Sequence, residues 1–322
     1  MHPVISYEPG TRPDTAHRSS KLRLPDRPTA PVSTAIIRKK MKYSKYHALG
    51  NDYIVIDPKD IPNGELNSDQ IVRVCHRNYG VGSDGLLLGP LPSDKCDFGL
   101  RIFNPDGGEA EKSGNGLRIF SRFLWDNKKV WDKTFSVFTI GGHVRSQVLQ
   151  DGRIVKVEMG KAEFISNKIP VSGPSREVLN ERILVDEKEI YINAASVGNP
   201  HCIVLDDSLN LEKVKSMGPK LETHSMFPNR INVQFMKIID KHNIQIEIWE
   251  RGAGYTLASG SSSSASAAMA YKLGLCDSDI SVHMPGGIIH ISISQEFDIT
   301  MTGGVTKVAD GEISNEIFDI KH

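Results

Sequence analysis

Lys112-Ser113-Gly114-Asn115-Gly116 and Ala258-Ser259-Gly260-Ser261-Ser262 are the two stretches on which the fold turns. In each, a Ser-Gly pair stands where a strand-like run gives way to helical spacing. After the first pair, residues 113–127 read as a helix, with Leu117, Ile119, Phe120, Phe123 and Leu124 as core candidates. After the second, an Ala/Ser-rich helix is predicted from 261 to about 273. Glycine lets the backbone approach a ligand closely, and the first N–H groups of a helix have no partner within it. Two such helix mouths facing one cleft make a trap for an anion such as an amino-acid carboxylate. Serine is also a favoured N-cap, so a lone Ser-Gly would say little.

The elements before each pair follow a similar order. In the first half, strands are predicted at 43–47, 53–56, 86–88 and 98–103, with a helix at 68–78 carrying Ile71, Val72 and Cys75 on one face. Strands continue from the 113–127 helix to Met159. In the second half, strands at 190–194, 202–205, 232–238 and 244–249 accompany a helix at 211–217, and strands close the series from 280 to 299. Identity between the halves is slight, so the repeat lies in the element order. The natural reading is an α+β fold of two similar domains with the site in the cleft between them.

At 322 residues the chain exceeds one compact core. Lys+Arg and Asp+Glu both number 39, so no net field draws nucleic acid or an acidic membrane. No apolar run approaches the roughly 20 residues of a membrane helix. The four cysteines show no CxxC spacing and the eleven histidines no HExxH pair, so neither a disulfide framework nor a metal is expected. The default compartment is a reducing cytoplasm. Residues 1–40, with six prolines and no hydrophobic period, suit a disordered extension; alternatively, Met41 is the true start.

Six further segments stand in order along residues 42 to about 311. They are Gly50-Asn51-Asp52-Tyr53; Gly80-Val81-Gly82-Ser83-Asp84-Gly85; and Asn104-Pro105-Asp106-Gly107, running on to Ser113-Gly114-Asn115-Gly116-Leu117-Arg118. Then come Gly198-Asn199-Pro200-His201; Pro228-Asn229-Arg230-Ile231-Asn232; and Glu250-Arg251-Gly252-Ala253-Gly254, running on to Ala258-Ser259-Gly260. A single such motif means little, because asparagine is commonly a turn former and Glu-Arg a solvated face. The ordered set resembles the diaminopimelate epimerase family.

That resemblance implies two α/β domains, each a curled, mostly antiparallel sheet around a central helix. On this chain the domains would be 41–160 plus 304–322, and 161–303. It implies an amino-acid epimerase of lysine biosynthesis that inverts the α-carbon of diaminopimelate without pyridoxal phosphate, other cofactor or metal. The family's two catalytic cysteines correspond to Ser113 and Ser259. By the same matching, Asn51, Asn104, Asn199 and Asn232 would hold the remote polar end of the substrate. Gly114, Asn115, Gly260 and Ser261 would form the carboxylate cradle. Glu250 and Arg251 would bind the ammonium and carboxylate groups, and His201 and Glu250 would tune the acid–base pair. The expected partner is a small amino acid, with a homodimer the default assembly.

The serine pair departs from the family pattern. A thiol ionises near pH 8.5 and can be depressed further, whereas a hydroxyl needs a neighbouring base. Gly85 stands where some relatives carry glutamine, Tyr255 where glutamate is commoner, and 261–264 is a serine run. Three explanations stay open. The serines are engineered to trap a ligand; or His201, Glu250 or Asp106 is the base of a related isomerase or dehydratase; or the chain binds amino acids without turnover. The related phenazine-biosynthesis isomerase, which uses a carboxylate, and proline-racemase-like dehydratases are precedents for altered chemistry.

Overall fold

A computed structural model describes residues 40–61 and 64–319. The disordered extension expected over 1–40 lies outside the described residues, Lys40 excepted. The first half runs β1 (Met41–Ala48), β2 (Asn51–Ile56), α1 (Ser68–Cys75), β3 (Leu86–Leu91), β4 (Phe98–Phe103), β5 (Glu109–Ala110), α2 (Gly114–Asp126), β6 (Phe135–Thr139), β7 (Gly142–Leu149) and β8 (Ile154–Lys161). The second opens with β9 (Glu181–Val185), β10 (Lys188–Ser196), β11 (Pro200–Leu205), α3 (Leu211–Glu222), β12 (Asn232–Asp240) and β13 (Asn243–Glu250). It continues through β14 (Gly254–Thr256), α4 (Gly260–Lys272), β15 (Asp279–Met284), β16 (Gly287–Ile293) and β17 (Asp298–Gly304). The chain closes with β18 (Thr306–Ile313) and α5 (Glu316–Asp319).

The fold is α+β, and strand pairing exposes the repeat that the residues hide. β2 pairs parallel with β3, as β11 does with β12. β4 pairs parallel with β6, as β13 does with β15. The meander β6-β7-β8 is matched by β15-β16-β17, all antiparallel. Antiparallel pairing of β8 with β17 joins the halves, while β18 returns to β1.

Each half curls around one helix. In α2 the five predicted core residues are all buried, as are Arg118 and Ser121, because sheet surrounds the helix. The α4 helix is enclosed too, but it is built mostly of Gly, Ser and Ala. Its buried hydroxyls are partly satisfied within the helix: Ser263 Oγ donates to Ser259 O and Ser264 Oγ to Gly260 O, each at 2.8 Å.

Three local expectations change. The α1 helix stops at Cys75, where His76 turns to extended backbone, and Val72 points out at 37% exposure. Its buried face is Ile71, Val74 and Cys75, the i, i+3, i+4 stripe; residue 72 sits about 100° round from 71. The α3 helix runs through Pro219 to Glu222, past the expected end at 217. Tertiary contacts hold that last turn: Glu222 accepts from Trp249 Nε1 at 2.7 Å and from Gly252 N at 2.8 Å. Finally, β5, β9, β14 and β18 were not expected from the sequence; β18 buries only Ile313 and so carries no alternation to read.

Candidate active site

Each half brings a Gly-Asn turn against its own helix mouth. Gly50 and Gly198 have φ of 90° and 101°, which a residue without a β-carbon adopts freely. The turn in the first half places Asn51 so that Asn115 Nδ2 donates to its Oδ1 at 2.9 Å. In the second, Asn199 Nδ2 donates to Ser261 Oγ at 3.3 Å. Asn115 and Ser261 are the second residues of their helices, so the two turns make equivalent contacts.

Both serines cap their helices. Ser113 Oγ accepts the Gly116 N–H at 3.0 Å, and Ser259 Oγ accepts that of Ser262 at 3.4 Å. The N–H groups of Gly114, Asn115, Gly260 and Ser261 are left without intrahelical partners. The mouths abut, since a β-carbon on Gly114 would lie 3.4 Å from the Gly260 Cα. The thioether of Met301 backs both glycines.

A cavity of about 1080 Å³ opens over these mouths. Ser113, Ser259, Glu250, Asn51, Asn104, Gly114, Asn115, Asn199, Asn232, Arg251, Gly260 and Ser261 all line it, as does Asp106. His201 does not. It is wholly buried, with Nε2 facing Asn199 Oδ1 at 2.9 Å and Nδ1 facing Gln234 Oε1 at 3.2 Å. Burial pushes its pKa down to about 3, so the ring is neutral at pH 7 and reaches the cavity only through Asn199.

The other polar groups are set by their surroundings. Burial raises the Glu250 carboxyl above its ordinary range, although the neighbouring Ser259 works the other way. Asn232 Oδ1 accepts the Arg251 backbone N–H at 3.0 Å, and the Arg251 guanidinium donates to Asn229 O. Among the described residues, no group of three or more His, Cys, Asp or Glu is gathered to hold a metal.

Several lining residues were not singled out from the sequence as site residues, among them Tyr53, Asp84, Lys112 and Tyr255. Tyr53 meets Ser113 through its hydroxyl at 3.2 Å. Asp84 accepts from Asn51 Nδ2 and from the Asp52 N–H, both at 3.1 Å, and is held by Arg77. Lys112 has its pKa lowered by burial and donates to Met159 O. Tyr255 donates to Glu247 at 2.9 Å. Each lies in or beside a motif, and that adjacency was the available signal.

Known proteins resemble this chain. The family model described as diaminopimelate epimerase matches residues 43–165 and 193–308, more than half of the chain. Diaminopimelate epimerase 2 of Nostoc sp. is 60% identical over 281 residues, covering 87% of this chain and 98% of that protein. Diaminopimelate epimerase of Methanothermobacter thermautotrophicus is 39% identical, covering 84% and 97%. Among solved structures, a probable proline racemase from Agrobacterium radiobacter with bound carbonate aligns with TM-score 0.64 at 16% identity, covering 87% and 94%. A Bacillus anthracis phenazine biosynthesis protein aligns at 0.62 and 19% identity, covering 86% and 99%; these two likenesses speak for the fold alone. Ordered motifs, a matching family model and relatives spanning nearly their whole length agree that the chain belongs to the diaminopimelate epimerase family.

Proposed function

We propose that the chain is an amino-acid epimerase that interconverts LL- and meso-diaminopimelate in lysine biosynthesis by proton transfer at the α-carbon. The observation that carries this reading is the pair of abutting helix mouths with Ser113 and Ser259 on one cavity. The α-carboxylate would lie against the N–H groups of residues 114, 115, 260 and 261. Losing the α-proton builds enolate charge on that carboxylate, and preorganised N–H donors stabilise charge as it forms. Asn51, Asn104, Asn199 and Asn232, all on the cavity wall, would hold the distal polar end, and Glu250 and Arg251 the ammonium and carboxylate groups.

The test is incubation with LL- and meso-diaminopimelate in deuterated water, followed by mass spectrometry and stereochemical analysis. Uptake of one deuterium with inversion is expected; no uptake from either stereoisomer removes the reading. The Glu250 carboxyl, which lines the same cavity as Ser259, favours a second one, a carboxylate-driven isomerase or dehydratase on the same scaffold. It would show as loss of water or a shifted double bond in the same incubations.

The same reading divides the chain into domains of 41–160 with 304–322, and 161–303; the return of β18 to β1 supports it. Among the described residues no helix is long and apolar enough to cross a membrane. All four cysteines are free thiols, as a cytoplasmic enzyme would keep them. A homodimer is the assembly to test, by light scattering.

A further inference from the structure

A hydroxyl is a far weaker acid than a thiol, so two serines need partners before they can carry a proton. Each serine has one. Ser259 shares the cavity wall with the Glu250 carboxyl. Ser113 Oγ lies 3.2 Å from the phenol oxygen of Tyr53, whose ring is only 7% exposed and lines the cavity.

Gly85 makes room for that ring. A β-carbon at residue 85 would lie 2.5 Å from Tyr53 Cε1 and 2.7 Å from Phe103 O. The missing side chain at 85 and the phenol on Ser113 are therefore one arrangement.

Building on the epimerase reading above, we propose that Tyr53 is a proton-relay residue acting through Ser113, the counterpart of Glu250 acting through Ser259. Ser259 Oγ takes the α-hydrogen as a proton while its own O–H proton passes to Glu250. The electron pair of the broken C–H bond stays in the enolate held at the helix mouths. The Ser113 O–H proton then forms the new C–H bond with that pair, and the Tyr53 O–H proton moves to Ser113. One proton leaves carbon and one returns. Glu250 ends neutral, Tyr53 ends as phenolate, and the total charge is unchanged. The pair resets by exchange with water after release, or the opposite stereoisomer runs the steps backwards. Burial raises the Tyr53 pKa to about 12, so at neutral pH the resting phenol holds its proton and is a donor.

The test is Tyr53→Phe in the full chain, which keeps the ring and removes only the hydroxyl. With diaminopimelate stereoisomers in deuterated water, inversion is expected to slow about tenfold or more at a KM within about twofold of the parent. Deuterium should still enter, with retention, from the stereoisomer whose α-hydrogen faces Ser259, and be lost from the other. An inversion rate within about twofold of the parent overturns the relay. Equal loss of exchange from both stereoisomers also overturns it, because the effect would then lie in pocket shape. A parent chain that exchanges nothing overturns the epimerase reading and the relay together; a parent that exchanges, matched by Tyr53→Phe, overturns the relay alone.

Discussion

Gly114 and Gly260, the first residues of the two enclosed helices, meet backbone to backbone: a β-carbon built on Gly260 would lie 3.3 Å from the Gly114 Cα. A side chain on either glycine would crowd the other's backbone. The unpaired N–H groups of both helices therefore converge on one volume, and their partial positive charges add there. This contact turns two unremarkable N-caps into one anion site.

Alanine at Gly114 should separate stability from activity. Its β-carbon would meet Met301 Cε at 2.9 Å and Met159 Cε at 3.2 Å, both flexible ends, so the helix can adjust. Overpacking of about 1–3 kcal/mol is offset by about 1 kcal/mol of gained helix propensity. The mouths move apart, however, and misplacement on the order of 1 Å costs about a hundredfold in rate. The expected result is a melting temperature within a few degrees of the parent and kcat/KM down by about a hundredfold. Calorimetry and a steady-state exchange assay check both.

How much of this was legible beforehand depended on distance along the chain. The helix starts at residues 113 and 259 and the buried residues of α2 could be read locally. The Tyr53–Ser113 and Asn51–Asn115 contacts could not, because strand pairing alone decides which turn reaches which helix mouth. The position of His201, behind Asn199, was not legible for a related reason. Its strand, β11, is buried along nearly its whole length, so no alternation told which side faced the cavity. The strand β18 failed in the opposite sense, exposed almost throughout, Val308 included, and buried only at Ile313.

Cysteine at both Ser113 and Ser259 should restore thiol chemistry. A helix N-terminus lowers a thiol pKa, so part of the pair would be thiolate at neutral pH. Exchange is expected to rise about tenfold or more, and its pH profile to gain a limb from thiol ionisation that the serine chain lacks. A flat response would mean that Gly85 and Tyr255 have reshaped the pocket for other chemistry. The rate of deuterium uptake from pH 5 to 9 reads this directly.

Acid sensitivity should trace in part to His201. Its folded pKa, about 3, is depressed below the ordinary 6.5, so the folded state excludes its proton. That contribution to stability is complete above pH 6.5 and is lost progressively as pH falls toward 3. Carboxylates such as Asp52, held below their usual range by Arg77 and Lys45 against the cost of burial, add a separate acid loss. Replacing His201→Gln removes the histidine share only. Denaturant unfolding at pH 7, 5 and 4 should show the gap between parent and variant narrowing as pH falls; a constant gap would refute the assignment.

Gly303 and Gly304, neighbours in β17, should respond very differently to alanine. A β-carbon at Gly303 would fall 1.9 Å from Arg118 Nη1, whereas one at Gly304 would meet only Arg153 O, at 3.8 Å. The Arg118 guanidinium is wholly buried and cannot swing away. It donates to Asn115 Oδ1, while its Nε and Nη1 have no hydrogen-bond partner among the described residues. Displacing it disturbs Asn115 and, through Asn115, the contact with Asn51 at the cavity. Gly303→Ala is therefore expected to cost about 1–3 kcal/mol in denaturant unfolding and to weaken substrate binding. Gly304→Ala should lie within about 0.5–1 kcal/mol of the parent, the range of ordinary glycine effects in a strand. Equal costs at the two sites would mean that Arg118 is not packed against Gly303 as described.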